Sequence, residues 1–401
     1  MLVTKIDGQS LGRIAVESKV RLQRILHRFF LTALLALFAL LPSPTFSESL
    51  SADNLGYLWR RPELNRVTAE NMAFTETNYS SAMIDGLYST VMFNGGWIFT
   101  YSIFHYNIFI FDRWGVYALV YDPEGNTYWA KATLSARDID FDTERLYITD
   151  GKNLVEGGGM RYRIVGDFDG FSCDLVFDNY LPPWMLNDGT DNFTENGKNF
   201  QARATVSPWA DVTGSMSIDG KWMRVNGDGV MEKTLVVNNL NRYNQELVAM
   251  RAFTPEEDDS GHRWHISLVD STTHPDYGSK KLPRLFVARD GEWLFTTREY
   301  TIRYSNYIEF EDPPYEYPAR FTIIAEDQGY TLRATYTSRT LFDVTDVIDE
   351  IPKWLQPLIL LFIDRPVYFR CIGDFVGTVR APDGEIMPFD LEGGYEYVIT
   401  R

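Results

Sequence analysis

The sequence predicts an all-β protein built from two tandem antiparallel β-barrels, with one short helix in the second. The first observation is an internal repeat. Val212-Thr213-Gly214 leads to Asp219-Gly220-Lys221-Trp222-Met223 and then Gly229-Val230-Met231-Glu232; Phe375-Val376-Gly377 leads to Asp383-Gly384-Glu385-Ile386-Met387 and then Gly393-Gly394-Tyr395-Glu396. Counted from the Asp-Gly glycine, Met falls at +3, Gly at +9 and Glu at +12 in both copies. A repeat of this size implies one unit used twice. The second observation is turn chemistry: Asp-Gly between alternating apolar residues marks tight hairpins at 150–151, 169–170, 219–220, 290–291 and 383–384. The third is composition, with 23 Tyr and 26 Phe among 401 residues and almost no helical periodicity.

Two earlier landmarks extend the repeat. Trp97-Ile98-Phe99-Thr100 is echoed by Trp293-Leu294-Phe295-Thr296, and Ile164 to Phe171 by Ile323 to Tyr330. Matching the tryptophans gives the first half the longer insert between its Trp and Gly landmarks. With an aromatic strand that carries His105 and Asn107, this puts the expected ligand in the first half and makes the second a packed partner.

In chain order, residues 1–47 read as a secretory signal peptide. Lys19, Arg21, Arg24 and Arg28 precede an apolar run from Phe29 to Leu41, which Pro42 and Pro44 end. The run falls short of the roughly 20 residues that cross a bilayer. The expected location is therefore periplasmic or secreted, with a membrane anchor through 29–41 as the lesser alternative. Residues 48–85 are a polar N-terminal arm, 86–245 the first barrel and 246–401 the second. The segment 344–363 breaks the strand pattern. Asp343 or Thr345 would cap a helix there, and Pro352 and Pro357 would interrupt it. Its apolar residues suit a helix packed on the barrel; a transient membrane contact is the second reading.

A net charge of −17 makes nucleic acid an unsuitable partner. Two cysteines, Cys173 and Cys371, provide neither a disulfide framework nor zinc spacing, and the favoured reading is two unpaired thiols on core strands. No G-x-S-x-G, H-E-x-x-H or Walker A pattern occurs, so neither metal nor cofactor is expected. His262 and His265 are three apart, and residues three apart on a strand point to opposite faces.

His105, Asn107 and Phe109 share one face of a strand, with Phe104, Tyr106 and Ile108 on the other. Facing inward, His105 and Asn107 would line a ligand cavity; facing outward, they are ordinary surface residues. The alternation leaves both open. Glu232 and Glu396, the repeated carboxylates, must be paired or protonated if buried. Their repetition favours a structural part, bonded to backbone or Arg.

The Gly227-Asp228-Gly229-Val230-Met231-Glu232-Lys233 segment, the Trp97-initiated aromatic strand and the Gly393-Gly394-Tyr395-Glu396 ending resemble the AttH/CrtC superfamily of tandem lipocalin-like proteins. That group includes carotenoid 1,2-hydratases and Svf1-like proteins, and the Gly-x-Gly-x-x-Glu-Lys form is most similar to the Svf1-like side. The hydratase-like branch has a His- and Asp-rich stretch ending in Trp-Gly at the first closing strand. Here Thr234-Leu235-Val236-Val237 stands instead. The resemblance thus implies a lipocalin-like fold and an apolar ligand more than it implies catalysis. The expected function is binding of a hydrophobic small molecule, a lipid or terpenoid, through Trp97, Tyr101, His105, Asn107, Phe109, Trp129, Trp222 and Glu232. Two alternatives stand beside it. One is an enzyme on a terpenoid- or carotenoid-like substrate (a hydratase or isomerase) using Glu232 and His105; the other is an envelope protein with filled barrels.

Overall fold

The structure is a computed structural model that describes residues 64–75, 83–108, 111–186, 189–193, 198–237, 244–256, 261–311, 314–350, 353–354, 356–360 and 365–400. The expected leader, 1–47, lies outside the described residues. Two antiparallel sheets account for nearly all of the rest. The first contains β1 (Leu64–Arg66), β2 (Met83–Phe93), β3 (Trp97–Ile108), β4 (Phe111–Tyr121), β5 (Thr127–Leu134), β6 (Asp140–Phe141), β7 (Leu146–Thr149), β8 (Leu154–Gly158), β9 (Arg161–Phe168), β10 (Phe171–Asn179), β11 (Trp184–Leu186), β12 (Thr190–Asn192), β13 (Phe200–Ile218) and β14 (Lys221–Val237). The second contains β15 (Asn244–Phe253), β16 (Trp264–Thr273), β17 (Lys281–Arg289), β18 (Glu292–Thr297), β19 (Tyr300–Phe310), β20 (Tyr315–Asp327), β21 (Tyr330–Asp346), β22 (Pro366–Arg380) and β23 (Ile386–Thr400).

The strand orders display the duplication. The first sheet runs β5-β4-β3-β2-β14-β13-β10-β9-β8-β7-β6 and the second β18-β17-β16-β15-β23-β22-β21-β20-β19. From β5 to β8 the first order matches the second place by place. In each half the opening strand pairs with the closing one, so Gly229 faces Val91 and Gly393 faces Ala252. The hairpin after Phe168 corresponds to the one after Asp327, and the β13–β14 hairpin to the β22–β23 hairpin.

The tryptophan landmark is corrected. Trp97 opens β3, whereas Trp293 lies in β18, whose counterpart is β5. A Trp followed by apolar and β-branched residues is the ordinary content of a buried strand, so the likeness was compositional. The longer insert inferred from it compared different strands.

The stretch from Gly214 to Asp219 is one residue shorter than that from Gly377 to Asp383, and the turns give the cause. Asp219 and Gly220 both take positive φ, 49° and 77°, which makes a two-residue turn matched to strand twist. In the second copy Gly384 has positive φ, and the loop is closed one step wider by Ala381 N–H donating to Glu385 O at 2.9 Å.

Each sheet encloses its own core. Phe99, Tyr101, Trp114, Phe177 and Met231 fill the first; Phe321, Tyr336, Phe375 and Tyr395 fill the second. A third cluster, with Trp209, Val230, Phe253 and Phe286, joins the two. Cys173 and Cys371 are buried, unpaired thiols in separate cores, and burial raises both to about 12. The helix expected over 344–363 is shorter than that span. β21 continues to Asp346, whose carboxylate accepts from Ile348 N–H at 2.9 Å. A 3-10 turn over Val347–Glu350 and a helix over Gln356–Ile359 follow, with parts of the segment outside the described residues. No helix among the described residues is long and apolar enough to cross a membrane.

Candidate functional site

The site is built by the closing strand of the first barrel. Side chains alternate along β14, so neighbouring residues serve opposite faces. Gly227 lies where another strand crosses closely: a Cβ there would sit 2.2 Å from Met92 O. Gly229 is packed on the inner face, where a Cβ would meet Val212 Cγ2 at 2.7 Å. Asp228 faces outward and accepts from Trp209 Nε1 at 2.8 Å and Arg263 Nη2 at 2.6 Å.

Lys233 faces inward, near the end of the barrel. Its ammonium pairs with Asp85, its neighbour on β2, and both are buried. Asp85 also accepts from Thr75 N–H at 2.8 Å. The Thr75 bond ties down a strap that carries the short helix Ala69–Met72, capped by Thr68. Phe74 on this strap lies 4.5 Å from Lys233 Nζ and 5.2 Å from the Trp114 ring. Burial pulls the Lys233 ammonium down to about 7; the Asp85 carboxylate opposes that pull.

Between the strap and the barrel end lies a cavity of about 430 Å³. Ala73, Phe74, Met185, Ala202, Ala204 and Leu235 give it apolar walls. Thr75, Asp85, Thr143, Thr190, Arg203 and Lys233 supply polar groups, and Glu70 and Asn71 stand on the strap. Its volume lies within the usual range for small-molecule sites. Among the described residues no group of three or more His, Cys, Asp or Glu could hold a metal ion.

Glu232, one residue before Lys233, faces the seam between the sheets. It pairs with Arg251 of β15, whose guanidinium also lies 5.3 Å from the Tyr88 ring. Burial pushes Glu232 up, but Arg251 overrides it and holds the carboxyl below its ordinary value. Its repeat partner Glu396 is held by Arg370 Nε at 2.9 Å. Both repeated carboxylates thus accept from arginines.

The remaining expected site residues scatter. Trp97 packs against the first core, and Tyr101 is fully buried within it with no partner for its hydroxyl. His105 stacks on Trp114 at 4.8 Å and bonds Asp112 at 2.7 Å. It faces Asp85 across the β2–β3 ladder, and Asn107 follows on the same face near the strand end. Phe109 lies outside the described residues. Trp129 is exposed and donates from Nε1 to Asp343 at 3.2 Å, bridging to the second sheet, and Trp222 stands exposed beside its hairpin. Glu232 and His105 occupy opposite faces of the first sheet, so they are not brought together as acid and base. None of the described members of this set lines the cavity. The residues missed were Lys233, Asp85 and the strap. Lys233 was visible in the Glu-Lys motif, but Asp85 lies 148 residues away and only the β2–β14 pairing joins them.

Comparison with known proteins agrees with this architecture. The fold is similar to that of a putative AttH from Nitrosomonas europaea, with a TM-score of 0.55, 12% identity and coverage of 82% of this chain and 97% of the other. It is similar to CghA crystallised with Sch210972, at TM-score 0.53 and 10% identity over 84% of this chain and 99% of that one. It is also similar to kievitone hydratase from Nectria haematococca, at TM-score 0.52 and 14% identity over 84% of this chain and 97% of the other. At these identities the likeness establishes the lipocalin-like fold alone. A search of curated proteins finds no match. Residues 46–364 match the Svf1 family across both sheets, and the chain belongs to that family.

Proposed function

We propose that the protein binds a hydrophobic small molecule with one polar end, a lipid or terpenoid in class, in the cavity under the strap. The observation that supports this is the pairing of apolar walls with a buried Lys233–Asp85 couple in about 430 Å³. An apolar body would lie against Phe74, Met185 and Leu235, and a hydroxyl or carbonyl would bond at the polar end. The barrel interiors themselves are occupied by packed aromatics, which favours the barrel end over either centre.

Native mass spectrometry of the purified chain, with Ala202→Trp as the blocked form, tests the reading. Wild type should carry a lipid or terpenoid mass that Ala202→Trp lacks, while Trp222→Ala, far out on its hairpin, should retain it. Equal loading of wild type and Ala202→Trp would refute the site.

The second reading is an enzyme of hydratase type, supported by a lysine that burial brings toward neutral pH, where proton transfer is most effective. Lys233→Met would then abolish turnover of a bound unsaturated ligand but keep its binding. A binding protein would show no turnover in either form.

A further inference from the structure

Among the described residues, the seam between the sheets gathers four arginines and two carboxylates. From the first sheet come Asp191, Arg203 and Glu232; from the second, Arg251 and Arg284, with Arg298 from the turn between β18 and β19. Asp191 is shared by Arg284 and by Arg298, whose Nη2 lies 3.5 Å from it. Glu232 is taken by Arg251. Further along, Arg370 is matched by Glu396 and by Asp343. Arg203 forms no ion pair among the described residues.

The donors define the chemistry that would fit. Arg203 Nε and Arg251 Nε are sealed from solvent and have no hydrogen-bond acceptor. Arg251 is almost wholly buried. Buried N–H groups without an acceptor are rare, and a charged one is costly unless an opposite charge or a water meets it. Burial first, then the adjacent Arg284, pulls Arg203 down to about 9, against the opposing pull of Asp191 and Glu232. Planar guanidinium forks match the oxygens of phosphate and carboxylate groups.

We infer that the seam binds an oxyanion, a phosphate or carboxylate group, at Arg203 with Arg251 and Arg284 beside it. This site lies on the opposite sheet face from Lys233: Arg203 pairs with Thr234, and Ala204 with Lys233. Arg203 also lines the cavity under the strap, so this site adjoins the one proposed there. The anion could arrive free or as the head of an amphiphile, and both would make the same contacts.

Titration calorimetry of the full chain, exchanged into a phosphate-free zwitterionic buffer, distinguishes these. The probes are inorganic phosphate, and octyl phosphate below its micellar concentration, each against sodium chloride at matched ionic strength. Binding of either probe at one per chain, weakened at least tenfold in Arg203→Leu and partly kept in Arg203→Lys, is the expected result. Binding of both identifies a free-anion site; binding of octyl phosphate alone identifies an amphiphile head group. Arg203→Leu should melt no lower than wild type in phosphate-free buffer, because it removes an unpaired charge. Absence of binding by both probes, or equal binding by wild type and Arg203→Leu, would overturn the inference and leave the donors to water.

Discussion

Glu232 and Lys233 are consecutive in sequence and serve opposite faces of the first sheet: Glu232 meets Arg251 in the seam, and Lys233 meets Asp85 at the barrel end. Strand alternation makes the division obligatory. A two-residue motif thus links the two sheets and closes one end of the first.

The Lys233–Asp85 pair should behave as a unit. Lys233→Met alone leaves a buried carboxylate without its cation and should cost about 3–5 kcal/mol. The double change Lys233→Met with Asp85→Leu removes both charges and should recover much of the loss. Urea unfolding midpoints of the two single variants and the double variant provide the measurement. Strict additivity would show that the pair is not coupled.

His265 predicts acid sensitivity. It is fully buried, stacked on Phe253 at 4.5 Å, with Nδ1 3.1 Å from Ala252 O. Burial, aided by Arg251, pulls it from 6.5 to about 3, so the folded form holds it neutral. The unfolded chain therefore binds the proton more readily between those values. Stability should fall as pH drops through that window, with a slope of up to about 1.4 kcal/mol per pH unit from this group. His265→Asn, which keeps a donor at the Nδ1 position, should flatten this limb in a pH series of thermal melts.

The two repeat glycines should differ. A Cβ at Gly229 would meet Val212 Cγ2 at 2.7 Å and Phe177 at 3.0 Å, while at Gly393 the nearest atom is Ala252 Cβ at 3.3 Å. Gly229→Ala should cost about 1–3 kcal/mol through overpacking, and Gly393→Ala under about 1 kcal/mol. Equal effects in thermal unfolding would mean that the two sites are packed alike.

We propose that the chain is exported and cleaved near Ser47, on the order of basic, apolar and small residues in its leader. The family match beginning at residue 46 supports a boundary there. Amino-terminal sequencing of the exported protein should begin close to residue 48; a product that keeps 29–41 would indicate an anchor.

Much of the fold was legible in the chain. The Asp-Gly turns and the spacing of Met223, Gly229 and Glu232 against Met387, Gly393 and Glu396 specify hairpins and strand register locally, and local geometry is what period and turn chemistry encode. The paired duplication followed from them. The Trp97–Trp293 match failed because apolar strands share composition without sharing position. What the tertiary structure alone decided is which distant residues meet. Asp85 reaches Lys233, and Arg203 stands among Arg251 and Arg284, only because opening and closing strands pair and two sheets press together. Contacts of that range depend on chain closure and on which face each strand turns inward, and residue spacing along the sequence carries neither.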